Sequence, residues 1–207
     1  MKNYLSFSNS KLKKDKIFTF GIPAGYSATG IKTCPNAGKC LEGCYARRGF
    51  YVMPSVKKAQ EERLNLFLDT PGLFVLTISA EIKARSVKRL RIHDSGDFFN
   101  LAYFNAWLEI ARRNPKTKFY AYTKMVTFFK SRAALLPKNF HVIFSEGGTQ
   151  DHKIKETDKH SRVFDSLENL KKAGYSNAYK SDLPALQGKQ KIGLVYHGAP
   201  SRQWVTA

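Results

Sequence analysis

Cys34, Cys40 and Cys44 are the only cysteines of the chain, and all three lie in one stretch, TCPNAGKCLEGCYARRG. The C-x5-C-x3-C spacing sits among proline, asparagine and glycines, residue types that turn a chain without helix or strand, so the segment reads as a ligand loop. Thiolates are soft donors that favour zinc or iron-sulfur clusters over magnesium or calcium. A structural zinc site is closed by a fourth Cys or His, whereas a 4Fe-4S cluster held by three cysteines keeps one iron open for a substrate or cofactor. His93, His197 and Asp97 are the protein groups on offer for the remaining position, beside water or a cofactor. Two plainer readings are a disulfide with a spare thiol and three buried small hydrophobes. Both rank below metal binding, because an odd count leaves a disulfide framework incomplete and the N-terminus has no secretory pattern. A reducing cytoplasm is the expected compartment.

The elements around this loop follow from hydrophobic periodicity. IFTFGIPAG reads as a short strand leading directly into the cysteines. A helix is predicted over 54–68, opened by Pro54, and a second from Pro71, with Thr70 as its cap and Phe74, Ile78 and Ile82 recurring every four residues. LFVLTIS inside that second helix also suits a strand. KRLRI reads as a strand ending in His93-Asp94-Ser95-Gly96-Asp97. The segment after it carries a wide apolar stripe of Tyr103, Phe104, Trp107, Leu108 and Ile110, stopped by Asn114 and Pro115. KFYAYTK then reads as a strand, FFKSRAALL as a short helix, FHVIFSEGG as a strand and SRVFDSLENLKKAG as a helix closed by Gly174. NAYK and KIGLVYHG supply two short strands. The alternation predicts an α/β fold with a parallel sheet. A full eight-unit barrel takes about 250 residues. The expectation is therefore a single domain over 1–207, an open or partial (β/α) barrel of about five or six strands.

In such a sheet, functional groups gather at the carboxyl ends of the strands. Those ends carry His93 to Asp97, then Tyr122, Thr123 and Lys124, then Ser145, Glu146, Gly147 and Gly148, and last His197 and Gly198. Each alone is an ordinary turn. Together they predict one composite pocket on the rim that also bears the cysteines, with Asp97 and Glu146 its strongest members. His93 reads equally well as a hydrogen-bonded structural histidine.

The charge is lopsided: 35 Lys plus Arg against 16 Asp plus Glu gives a net charge of +19. Such a field attracts polyanions, and its pull weakens with salt. The basic residues are spread through KLKKDK, ARRG, KARSVKRLR and NLKKAG rather than collected in a tail, which suggests a charged face and nucleic acid as partner. A solvated lysine-rich surface without a ligand is the alternative. No stretch approaches the about 20 apolar residues of a membrane helix.

GIPAG, TCPNAGKCLEGCYA, RIHDSGDFF, FYAYTK and FSEGG, in this order, resemble the phage gene product 88 family, from about Asn9 to Gly198. That family occurs in phages and mobile elements, and the resemblance implies an architecture and a site more than a reaction. The chain is also distantly similar to radical S-adenosylmethionine enzymes, partial α/β barrels with three cysteines after the first strand. This second resemblance implies a 4Fe-4S cluster on Cys34, Cys40 and Cys44, with Tyr45 packed on the cluster loop and S-adenosylmethionine on the open iron. It further implies that Ser95, Gly96 and Asp97 stand where those enzymes carry Gly-Gly-Glu, that Asp97 meets the cofactor's amino group and that Glu146 meets its ribose. Lys124 completes the expected cofactor-binding set. The spacing departs from the C-x3-C-x2-C usual there, and Ser-Gly-Asp is an approximate match. Two functions are thus expected: an iron-sulfur enzyme acting on a nucleotide or nucleic acid, and a nucleic-acid-binding protein stabilised by zinc or a cluster. A third, electron transfer through one exposed cluster, ranks last.

Overall fold

The computed structural model describes residues 2–7 and 9–196. His197 and Gly198, read from the sequence as the end of the last strand, lie outside the described residues. Seven strands form one sheet: β1 (Phe18–Phe20), β2 (Arg89–Ile92), β3 (Lys118–Thr123), β4 (Phe140–Ser145), β5 (His160–Phe164), β6 (Ser176–Asn177) and β7 (Lys191–Val195). Their order is β1-β2-β3-β4-β5-β7-β6, every pairing is parallel, and β1 does not pair with β6. The fold is an open parallel α/β sheet. All carboxyl ends therefore face the same way, as the sequence predicts.

The helices are α1 (Ser10–Lys14), α2 (Pro54–Asp69), α3 (Pro71–Ala84), α4 (Leu101–Arg113), α5 (Val126–Lys130), α6 (Leu167–Lys172) and α7 (Leu183–Leu186). Proline opens α2 and α3, where its missing N–H costs nothing. Thr70 occupies the cap position of α3 without a side-chain cap bond. LFVLTIS is helical within α3. Asn100 caps α4 by accepting from Tyr103 N at 2.8 Å.

Two apolar layers flank the sheet. On the helix side Phe20, Leu90, Ile92, Phe119 and Ala121 pack with Leu64, Phe67, Phe74, Ile78, Tyr103 and Trp107. Their rings meet edge to face, as in Phe20–Trp107 at 5.0 Å and Phe67–Tyr103 at 4.9 Å. On the opposite side lies a smaller cluster of Leu12, Ile17, Tyr120, Ile143, Ala178, Ala185 and Ile192.

One expectation about elements is corrected. SRVFDSLENLKKAG is not one helix: its first residues are β5, and α6 begins only at Leu167, capped by Ser166. Val163, Phe164, Leu167 and Leu170 mimic helical spacing across the strand-to-helix turn, which concealed β5 and accounts for the seventh strand.

Among the described residues, no helix is long and apolar enough to cross a membrane.

Candidate metal centre

The cysteine loop leaves β1 at its carboxyl end and is tied to the ends of β2 and β4. At β2, Asp97 N donates to Thr33 O at 2.9 Å. At β4, Cys40 N donates to Gly147 O at 2.9 Å, Thr149 N to Asn36 O at 3.1 Å, and the Thr149 hydroxyl to Asn36 Oδ1 at 3.1 Å. Gly38 lies at this seam with φ +47°, where a Cβ would stand 2.9 Å from the carbonyl carbon of Gly148. Single-turn 3₁₀ segments at Gly38–Leu41, Tyr45–Arg47 and Gly49–Val52 carry the chain onward to α2.

All three cysteines are free and half-buried, and they share one electrostatic neighbourhood. Cys40 and Cys44 are hydrogen-bonded to each other. That bond is the main influence lowering Cys40 to about 6, with the nearby Lys124 ammonium assisting against the cost of burial. Cys44, donor in the pair, is raised by the same bond and by burial. Burial, then the Asp97 carboxylate, pushes Cys34 up to about 12, although its Sγ accepts from Gly25 N at 3.3 Å.

The residues after β2 stitch the rim together. Ser95 Oγ donates to Ile22 O at 2.8 Å and accepts from Gln60 Nε2 at 2.9 Å. Gly96 has φ +81°, and a Cβ there would lie 2.3 Å from Ile22 Cγ1, so no other residue fits. Asp97 Oδ1 accepts from Phe98 N at 2.8 Å and the Thr123 hydroxyl at 2.6 Å, while Oδ2 accepts from Lys124 N at 2.9 Å. Burial raises its pKa, and these donors oppose the rise. Lys124, 9% exposed, directs Nζ at Ser145 O and Oγ, both at 3.1 Å, and at Glu146 O at 2.8 Å.

Cys34, Cys40, Cys44, Asp97 and Lys124 are thus electrostatic neighbours. The carboxylate of Glu146 does not join them: it pairs with Arg162 Nε at 2.6 Å, and His160 Nε2 lies 3.9 Å away. Only the Glu146 carbonyl faces the rim. His93 takes the left-handed conformation, φ +64°, and turns its ring into the helix layer, where Nε2 meets the Tyr103 hydroxyl at 3.1 Å and the ring centre lies 4.6 Å from that of Phe98. It is held as a structural histidine.

The donor set suits a thiophilic metal or a cluster: three sulfur atoms lie beside a cation that favours thiolate. As they stand, no three His, Cys, Asp or Glu side chains among the described residues are arranged to hold an ion. Loading would break the Cys40–Cys44 bond and the Cys34 contact with Gly25, with loss of thiol protons.

Residues 3–203 match the gene product 88 family. The chain belongs to that family. Two curated relatives are the Gene 88 protein of Mycobacterium phage L5, 31% identical over 119 residues, and that of Mycobacterium phage D29, 29% identical over 119 residues. In each case the match covers 53% of this chain and 48% of the relative. The chain thus spans about half the length of the curated relatives it matches. No solved structure matches.

In this member of the family a second polar cluster, invisible in the sequence, lies on the sheet side that carries Tyr120. Asp182, fully buried, accepts from Lys11 Nζ at 2.5 Å, Arg91 Nη1 at 3.1 Å and Tyr120 Oη at 2.8 Å. Opposite charges hold its carboxyl below the usual range against the cost of burial. Tyr45, in the cysteine loop, donates to Asp94 O, and its hydroxyl lies 3.4 Å from Arg91 Nη2. The loop and this cluster are therefore connected. SDLPAL reads locally as a helix start, and nothing in it signals a partner 91 residues away.

Proposed function

We propose that this gene product 88 protein is a metalloenzyme whose centre is a 4Fe-4S cluster held by Cys34, Cys40 and Cys44, with S-adenosylmethionine as second cofactor. The observation that carries this reading is the gathering of three thiols beside Lys124 and Asp97 at the carboxyl edge of an open parallel sheet. When bound, such a cluster supplies electrons for reductive radical chemistry. The chain's own residues supply the rest. Lys124 favours the thiolate of Cys40, and Gly25 N offers Cys34 a hydrogen bond that steadies negative sulfur. Ser95 and Gly96 let the β1 and β2 ends approach closely enough for the loop to sit over both. Asp97 Oδ2 has a single donor among the described residues, which leaves it capacity for a cofactor ammonium. Glu146 is the weaker candidate for cofactor contact, because Arg162 holds its carboxylate. The setting inferred for this activity is the reducing cytoplasm of an infected cell, with a nucleotide or nucleic acid as substrate.

The experiment is a titration of anaerobically purified protein with S-adenosylmethionine, followed by electron paramagnetic resonance of the reduced centre. A signal altered saturably by the cofactor in the wild type, and only weakly in Asp97→Asn, supports the enzyme. An indifferent signal would leave the second reading.

That second reading is a nucleic-acid-binding protein in which zinc or a cluster only braces the loop. Aromatic and basic residues near the cysteines favour it. Phe50 is 82% exposed and Tyr26 54%. A cleft of about 500 Å³ is lined by Tyr26, Arg47, Tyr51, Lys57 and Lys58. Exposed rings beside cations suit stacked bases and a phosphate backbone.

A further inference from the structure

The cleft of about 500 Å³ beside the end of the cysteine loop is built on residues that the fold holds in place. Of its lining residues, Gln60 is buried and donates from Nε2 to Ser95 Oγ at 2.9 Å, while the Tyr51 hydroxyl donates to Asp94 Oδ2 at 3.2 Å. The Tyr51 ring also meets Tyr45 edge to face at 5.6 Å. Ala28 N donates to Glu61 Oε1 at 2.7 Å, tying the loop after β1 to α2. The volume falls within the roughly 300–1,000 Å³ usual for ligand sites.

The groups this framework leaves free are cations and a ring. Lys57 and Lys58 are exposed, and neither has a hydrogen-bond or ion-pair partner among the described residues. Lys58 feels the Glu62 charge, but that carboxylate is already paired with Lys2 at 2.6 Å. Arg47 gives one donor to Leu41 O at 3.2 Å and keeps the rest of its guanidinium. Glu61 is the one acidic residue lining the cleft, so the lining carries an excess of positive charge. Tyr26 is 54% exposed, and its backbone is pinned by a bridge to Lys32.

The cations call for an anion, and the exposed ring for a flat partner. An acidic peptide supplies only the first, and a duplex keeps its base faces inside the stack. A single strand offers both, a phosphate at each step and a base face to lay on a ring. Because Tyr26, Arg47, Lys57 and Lys58 are all exposed, the cleft opens to solvent and a chain can continue past it.

We propose that the cleft between the loop after β1, the end of the cysteine loop and α2 seats single-stranded nucleic acid, with a base on Tyr26 and backbone phosphates on Arg47, Lys57 and Lys58. This rests on nucleic acid as the partner and deepens that reading by giving the form of the strand and its seat. Arg47 follows Cys44 by three residues, so a strand held there runs beside the cysteine loop.

The probe is a fluorescein-labelled oligothymidylate, whose anisotropy is followed as the full chain is added over a range of salt. Tyr26→Ala is expected to weaken binding about tenfold and Tyr26→Phe to preserve it, since stacking needs the ring and not the hydroxyl. Lys57→Gln with Lys58→Gln is expected to weaken binding and reduce the salt slope by about 1.4, the share of two phosphates on a single strand. The same charge is removed elsewhere by Lys171→Gln with Lys172→Gln, on α6, which packs against β6 and β7 at the other end of the sheet from β1. That control is expected to change affinity by about twofold or less, because distant exposed charges are screened. All these side chains are exposed, and each variant is checked for folding by circular dichroism. Wild-type binding left unchanged by Tyr26→Ala and by the Lys57 and Lys58 substitutions would overturn the cleft and keep nucleic acid as partner. No wild-type binding at any salt would remove the partner and the cleft with it. Poly-glutamate displacing the strand as well as unlabelled oligothymidylate would make the cleft a seat for acidic peptide and overturn the proposal.

Discussion

His93 and its neighbours in one motif serve different parts of the fold. Ser95 bonds to Ile22 and Gln60, and Asp97 to Thr123 and Lys124, whereas the His93 ring enters the aromatic helix layer. Burial, assisted by the Arg91 charge, pushes its pKa down to about 3 from an ordinary value near 6.5. The unfolded chain takes up that proton near 6.5 while the native chain refuses it until about 3. Stability from this group is therefore complete above pH 6.5 and is lost as pH falls toward 3, by about 1.4 kcal/mol per pH unit. His93→Asn tolerates the left-handed backbone and does not titrate. Denaturant midpoints between pH 6.5 and 4 are expected to fall less steeply in this variant than in the wild type; parallel slopes would place the acid sensitivity elsewhere. At this scale the sequence was legible for Asp97 and Lys124, which follow strands directly, and for the cysteines, which share one loop. It was silent on the direction of the Glu146 carboxylate, which depends on Arg162, and on Asp182, which depends on three partners distant in sequence.

Loops rather than strands do the positioning at the element scale. β1 is only three residues long, yet the loop after it is fixed at both the β2 and the β4 ends. Gly38 lies close against the β4 loop, and its positive φ adds to the demand for glycine. Gly38→Ala is expected to retain the far-ultraviolet circular dichroism of the wild type, lower the melting temperature by a few degrees and reduce iron occupancy. Full occupancy would mean that the seam to the β4 loop does not organise the cysteines. The α4 stripe and the prolines opening α2 and α3 were readable because each signal is local and strong. β5 was not, since its five residues run into α6 with apolar spacing that suits a longer helix.

The whole molecule combines a polar edge at the carboxyl ends of its strands with a strongly basic composition. Its net charge of +19 predicts that affinity for single-stranded nucleic acid, measured by fluorescence anisotropy, falls linearly on a log–log plot with salt. A flat response would remove polyanions as partners. Composition revealed the charge but not its arrangement, because the clustering of Arg47, Arg48, Lys57 and Lys58 beside exposed rings depends on how the cysteine loop folds against α2. The central claim is the thiolate centre itself. Its most direct test is iron, acid-labile sulfide and zinc analysis of anaerobically purified wild type and Cys40→Ser, each checked for folding by circular dichroism. The account predicts close to four iron and four sulfide per wild-type chain, and their loss in a Cys40→Ser protein that remains folded. A folded wild type carrying neither iron nor sulfide after anaerobic reconstitution, or a Cys40→Ser variant with unchanged iron, would contradict it.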